Sequence, residues 1–371
     1  MKSALRRLLP CICIIFAFQG TVLSAEASLF RKPARILHDA ELAFKNGQYG
    51  TSLRLLGEAK DARINECTAA VEMLEQALSP VQVQNAGDSI SDVVAVLRAR
   101  DVYEASDLIE YVSAIHGLDF FDNSVKSLIA YIRKMSAFPE AEYLTGKIYE
   151  LEGENDLARY YYSLAWEHAD TLDIPGQKYD ILYDMAGLSY KTADADGCEK
   201  ALLLILADDP YYTDTALTEA LFSSVRKGYA ADKFFSLYRT DCYRSIPAYY
   251  KLTELYAEQG RSEEACKSSM LGVLTALTRM YSIVLQRNTE YEYVSLDNFC
   301  AEAMKYPDIA EWSVQTGFWN CLYRFAGTAL ETFPENADFS RSFLQLMQTC
   351  APEPYWRQLA SRLLLGAGSP F

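Results

Sequence analysis

Between its prolines this chain keeps returning to one pattern, apolar residues three and four positions apart. Leu53, Leu56 and Ala59 fall on one helix face. Val93, Val94, Leu97, Ala105, Leu108, Ile109 and Val112 fall on another, with a break near Asp101. That period belongs to amphipathic helices. The 12 prolines stand mostly between such stretches, as at Pro139, Pro175, Pro210, Pro247, Pro307, Pro334 and Pro352. Proline lacks the N–H that a helix interior needs, so it marks helix boundaries. No Asn-Gly or Asp-Gly dipeptide joins two alternating apolar runs, the signal that would announce a β-hairpin. The expected fold class is therefore all-α.

The helices also recur as pairs. From Pro139 to about Asp170 the chain carries Gly146, Tyr149, Gly153, Ala158, Tyr162 and Ala165. Two helices approach closely only where small residues face each other, and the tyrosines fill the space beside that contact. Gly153 can end the first helix in a left-handed conformation. This segment resembles a tetratricopeptide repeat, with Thr145 departing from the leucine expected before Gly146. Looser matches run from Tyr179 to Pro210 (Tyr183, Gly187, Tyr190, Cys198, Leu202) and from Pro247 to about Thr275 (Tyr249, Leu252, Tyr256, Gly260, Ala265, Gly272). Others are Ile36 to Ala59, Pro307 to Pro334, and a degenerate stretch around Gly228. Residues 61–137 and 276–306 are helical but off-pattern, with a loop expected between Ser79 and Asp92.

The resemblance implies an α-solenoid of antiparallel helix pairs, with about 15 helices for a period of roughly 34 residues. It divides the chain into residues 26–137, with a degenerate repeat, 138–275, with the clearest repeats, and 276–371, with another degenerate one. It also implies which side chains line the concave surface: first-helix positions Tyr143, Lys147 and Glu150, then Asp184, Leu188 and Lys191, then Tyr250, Glu254 and Glu258. Tetratricopeptide domains that clamp acidic tails use lysine and asparagine at such places. The acidic and aromatic mix here argues against a clamp for a C-terminal carboxylate.

The first 25 residues read as a secretory signal peptide. Lys2, Arg6 and Arg7 precede the apolar run Leu8 to Phe18, and small residues follow through Ala25 and Ala27. Its removal would lower the net charge from −15 to −18. So acidic a chain repels phosphate backbones and anionic lipid surfaces, which disfavours nucleic-acid binding. No later segment is expected to be long and apolar enough to cross a membrane. Seven cysteines remain (Cys67, Cys198, Cys242, Cys266, Cys300, Cys321 and Cys350), widely spaced and odd in number. They read as small buried apolar residues rather than a disulfide framework.

Chemistry-bearing motifs are sparse. His38, His116 and His168 lie on different predicted helices, without a His-Glu-x-x-His zinc motif or a glycine-rich phosphate loop. The carboxylates around Gly153, at Asp194 and Asp196, and at Asp208 and Asp209 sit at turns, where charge usually faces solvent. No metal, cofactor or catalytic residue is expected. The leading expectation is a periplasmic or secreted scaffold that binds another protein, one of the cell envelope, with self-association left open by apolar repeat edges. The alternative is a subunit holding a small ligand in an aromatic-lined pocket, and after that a helical enzyme.

Overall fold

A computed structural model of the chain describes residues 31–79, 89–240 and 242–366. The segment expected to be a signal peptide and most of the loop expected after Ser79 lie outside the described residues. Every regular element among the described residues is helical, save one isolated bridge between Ser89 and Ser124. The all-α expectation holds. Two compact units divide the chain, one running to Ile181 and the other starting at Leu182.

In the first unit the helices are α1 (Arg31–Lys45), α2 (Tyr49–Leu78), α3 (Ile90–Ala99), α4 (Tyr103–His116), α5 (Val125–Lys134), α6 (Pro139–Glu152) and α7 (Asn155–Glu167). Short 3-10 turns at Ala169–Thr171 and Pro175–Gln177 lead into α8 (Lys178–Lys191), inside which the boundary falls. The 30-residue α2 serves two cores. Its first half packs Leu56 and Ala59 with Ala40 of α1 and with Leu144 and Ile148 of α6. Its second half packs Cys67, Val71 and Leu74 against Leu97, Ile109 and Leu128 of α3, α4 and α5.

The second unit continues with α9 (Ala195–Leu206), α10 (Pro210–Thr213), α11 (Thr215–Arg226), α12 (Ala231–Leu237), α13 (Ile246–Glu258) and α14 (Ser262–Arg287). It ends with α15 (Leu296–Ala303), α16 (Pro307–Gln315), α17 (Phe318–Thr332), α18 (Ala337–Cys350) and α19 (Pro354–Leu364). α14 packs against α13 and α17 and forms the unit's centre. It corrects two expectations. The division at 275/276 falls inside this one unbroken helix. By length and composition it could also cross a membrane, although 72% of its most apolar window is buried inside the protein. Core burial on several sides accounts for that apolarity.

Six helix pairs share one turn. A residue in the left-handed region ends the first helix, its N–H bonds three residues back, and the next N–H bonds five back. The turns are at Gly47, Asp101, Gly153, Ala193, Gly228 and Gly260. These two bonds satisfy helix-end carbonyls that otherwise lack partners. Five residues after the turn stands a small buried side chain: Ser52, Ser106, Ala158, Cys198 and Ala265 in five of the six. Seven before it stand Ala40, Gly146 and Ala186, each buried, in three. The pair at Ala193 corrects the register read from Gly187. Ala186 is the small contact residue, and nothing approaches within 4 Å of the place where Gly187 lacks a Cβ.

Gly146 shows why size matters. A Cβ there would stand 2.6 Å from Tyr162 Cδ1 and 3.3 Å from the Ala158 carbonyl oxygen. Ala158 and Ala165 are fully buried in the same contact. Ala158→Leu is expected to overpack α6 against α7 and destabilise the protein by about 1–3 kcal/mol in urea melts. An unchanged midpoint would mean that the helix pair relaxes freely and that small residues do not set its spacing.

Candidate functional site

The nine residues expected on a concave face take unlike positions. In the first unit Tyr143 is 7% exposed. Its ring lies 5.8 Å from that of Tyr162, and Lys147 Nζ sits 5.1 Å over it. Glu150 accepts a 2.8 Å hydrogen bond from the Tyr162 hydroxyl. Tyr143 is therefore a packing residue. In the second unit Leu188 is 1% exposed. It stands five residues before its turn, the place that Ile148 and Leu255 hold in their pairs, and all three are core. The one-residue register shift at Ala186 explains the misplacement.

Tyr250 and Glu254 face the C-terminal helices. Glu254 accepts from Asn320 Nδ2 at 3.0 Å and lies 3.8 Å from Arg324 Nη2, both on α17. The Tyr250 hydroxyl is buried without a hydrogen-bond partner. Asp184 is half-buried, while Lys191 and Glu258 are exposed, Glu258 accepting from the Tyr190 hydroxyl at 3.0 Å. The expected face is thus not one surface: Tyr143 and Leu188 belong to cores, and α17 occupies the face of α13 that carries Tyr250 and Glu254.

The other side of α13 is open and concave. Asp209 organises it. Only 1% exposed, it accepts from Tyr211 N at 2.9 Å and from the Tyr249 hydroxyl at 2.8 Å. Those bonds pin α10 to α13 and bring Tyr212 to 6.5 Å from the Tyr249 ring. Asp214 then caps α11 through Leu217 N at 2.9 Å. The result is a cavity of about 230 Å3 between α11, α13 and α14, floored by Leu252 and Leu271 and walled by Tyr212 and Tyr256. Thr215, Thr218 and Ser268 add hydroxyls, and Glu219, Glu264 and Lys267 complete the lining.

Charge at this mouth is dense and paired. Arg261 stands 4.2 Å over the Tyr256 ring and donates to Glu199 at 2.8 Å and Glu264 at 3.2 Å. The Tyr256 hydroxyl donates to Glu199 at 3.0 Å. Hydrogen bonding from Arg261 holds the Glu199 carboxyl below its ordinary range. Burial first, and the Glu199 carboxylate after it, push the Tyr256 hydroxyl up, so it stays a donor. Lys267 contacts Glu263 at 3.0 Å and Glu219 at 3.2 Å. Burial disfavours its charge, but these carboxylates outweigh it and raise its pKa. Such a site can hold polar and cationic groups through carboxylates, hydroxyls and ring faces. The sequence assigns Tyr256 to a repeat but gives no sign of Tyr212 and Glu219, because α10 and α11 lie where the repeat pattern degenerates, and Lys267 reads there as an ordinary helix-surface charge.

A second charged group is buried in the first unit. Glu142 accepts from Lys60 Nζ at 3.1 Å and lies 2.8 Å from His168 Nδ1. Glu140, 9% exposed, accepts from Asp173 N at 2.7 Å through one oxygen, and its other oxygen has no partner. Burial, and after it the Asp173 carboxylate, push the Glu140 carboxyl from 4.5 up to about 7. A raised carboxyl stabilises the fold most below its unfolded value, and that contribution is lost as pH climbs through the folded one. The window here is pH 4.5 to about 7. Glu140→Gln, which cannot ionise, should therefore gain on the wild type by about 2–3 kcal/mol between pH 5 and pH 8. Urea melts at both pH values check it; a constant difference would mean that Glu140 ionises as an ordinary carboxyl.

Each of the seven cysteines is a free thiol, and all but Cys242 are buried. Among the described residues no three histidine, cysteine or carboxylate side chains are grouped so as to hold a metal ion.

No family model matches the chain. It is 29% identical over 357 residues to a protein of Treponema pallidum (strain Nichols) described only as uncharacterized, and the likeness covers 95% of both chains. A Borreliella burgdorferi protein, likewise described as uncharacterized, is 28% identical over 102 residues, 28% of this chain and 32% of the other.

Proposed function

We propose that this chain is an exported, tetratricopeptide-like scaffold, a solenoid of antiparallel helix pairs that binds another protein of the cell envelope. The observation that carries the reading is the recurrent turn. Six helix pairs close with the same two backbone bonds, and small buried residues recur at fixed distances from it. A unit that repeats in this way stacks on its neighbours, and stacked pairs present extended surfaces suited to protein partners. The turns are 54, 52, 40, 35 and 32 residues apart, so only the later pairs approach the tetratricopeptide period of roughly 34. The earlier intervals contain additional helical segments.

The cavity beside Tyr212 and Tyr256 favours a second reading, a small ligand held in an aromatic-lined pocket. Photo-crosslinking separates the two. A crosslinker placed at Thr215 in the full chain, irradiated in the native envelope, is expected to yield a discrete protein adduct. A small molecule that co-purifies with the chain, with no protein adduct at Thr215 or at Lys191, would replace the scaffold reading with the ligand-binding one.

A further inference from the structure

We infer that the cavity between α11, α13 and α14 is a subsite for a basic side chain, an arginine or lysine presented by the partner protein. The inference rests on the scaffold reading and names the chemistry of its partner.

Charge at this site favours a cation. Glu219 and Glu264 line the cavity, and Glu199 and Glu263 bond its lining residues Tyr256 and Lys267, whereas the cations paired with these four are Arg261 and Lys267, each shared between two carboxylates. A net negative field remains at the opening, within a chain whose overall charge is −15. An incoming cation is attracted and an anion is turned away.

The shape of the cavity suits a single side chain. About 230 Å3 accommodates one long side chain rather than a helix. Leu252 and Leu271 would receive its aliphatic stem, while Glu219, Glu264 and the tyrosine rings would meet its charged head. Long basic side chains have this division between apolar stem and polar tip.

The molecule holds a precedent of its own. Arg261 already stands over the Tyr256 ring at 4.2 Å with carboxylates at 2.8 and 3.2 Å. The neighbouring Tyr212 lines the same cavity with its ring beside Tyr249. Guanidinium stacking on an aromatic face with carboxylate hydrogen bonds is therefore accommodated at this spot.

The test uses the full chain and three probes in calorimetric titrations at low ionic strength. They are a blocked alanine-rich pentapeptide with a central arginine, the same peptide with leucine, and free agmatine. The arginine peptide should bind at least about tenfold more tightly than the leucine peptide, a difference of about 1.4 kcal/mol. Glu219→Gln combined with Glu264→Gln should erase that preference in a variant that keeps the wild-type circular dichroism. If that variant fails to fold, the preference of the wild type between the peptides decides alone. Equal binding of the two peptides overturns the inference, as does binding of agmatine without the arginine peptide, which would make the site one for a small cation. A protein adduct at Thr215 that survives the double substitution undiminished overturns the inference and leaves the scaffold standing. Loss of the adduct in the wild type itself would instead count against the scaffold.

Discussion

Arg63→Ala is expected to destabilise the protein by about 3–5 kcal/mol, the cost of emptying the space of a large buried side chain and stranding the buried carbonyl that it bonds. Arg63 is 1% exposed although it sits at the middle of α2. Its Nε donates to the Met135 carbonyl at 3.0 Å and its Nη2 to Asp173 at 3.4 Å. The guanidinium also lies 5.0 Å over the Phe138 ring. Truncation would strand the Met135 carbonyl, open a cavity beside Phe138 and remove the cation that opposes burial at Glu140. Arg63→Lys keeps a charge but loses the planar fork, so it should fall between the two. Urea melts of all three at pH 7 decide the matter. A loss under about 1 kcal/mol for the alanine variant would mean that water takes over these contacts, a far smaller cost than a stranded buried group carries.

Trp319→Ala should cost about 3–5 kcal/mol in the second unit, in the range of large aromatic truncations in packed cores. The indole is 1% exposed, donates from Nε1 to Ser313 Oγ at 3.0 Å and meets the Phe318 ring edge-on at 5.0 Å. Trp319→Phe retains most of the packed area and should lose much less. If the alanine variant melted with the wild type, α17 would not belong to the unit's cooperative core, and its burial of α14 would have to be reinterpreted.

The helices were legible because their signals are local. Apolar spacing marks the faces, and Pro139, Pro210, Pro307 and Pro354 each open a helix where the lost N–H is harmless. The glycine turns at Gly153, Gly228 and Gly260 were legible for the same reason. Asp101 and Ala193 make the same turn without glycine, at φ 60° and 59°. Side chains rarely adopt that conformation, so neither residue announces it. One consequence was a register error at Gly187 that sent Leu188 to a surface it does not occupy. Long-range packing was less legible still. Nothing near Tyr250 in sequence reveals that Asn320 and Arg324 will bond Glu254. The cavity lining spans Tyr212 to Leu271 and converges only through Asp209 and the α13–α14 pair. Arg63 reads as a solvated charge on a long helix until α6 and the Asp173 segment close over it.

The buried thiols have a practical consequence. Burial pushes Cys67 up to about 11 and Cys266 up to about 12, and it raises Cys300, Cys321 and Cys350 as well. Reagents and oxidants attack thiolate, which these side chains scarcely form while enclosed. Each cysteine is thus a clock for the opening of its own surroundings. Cys67 times the first unit, and Cys266, Cys300 and Cys321 time the helices around α14. Alkylation rates read by mass spectrometry would rank those openings in the unmodified chain. In an oxidising compartment the same kinetics would set how long these five buried cysteines stay reduced.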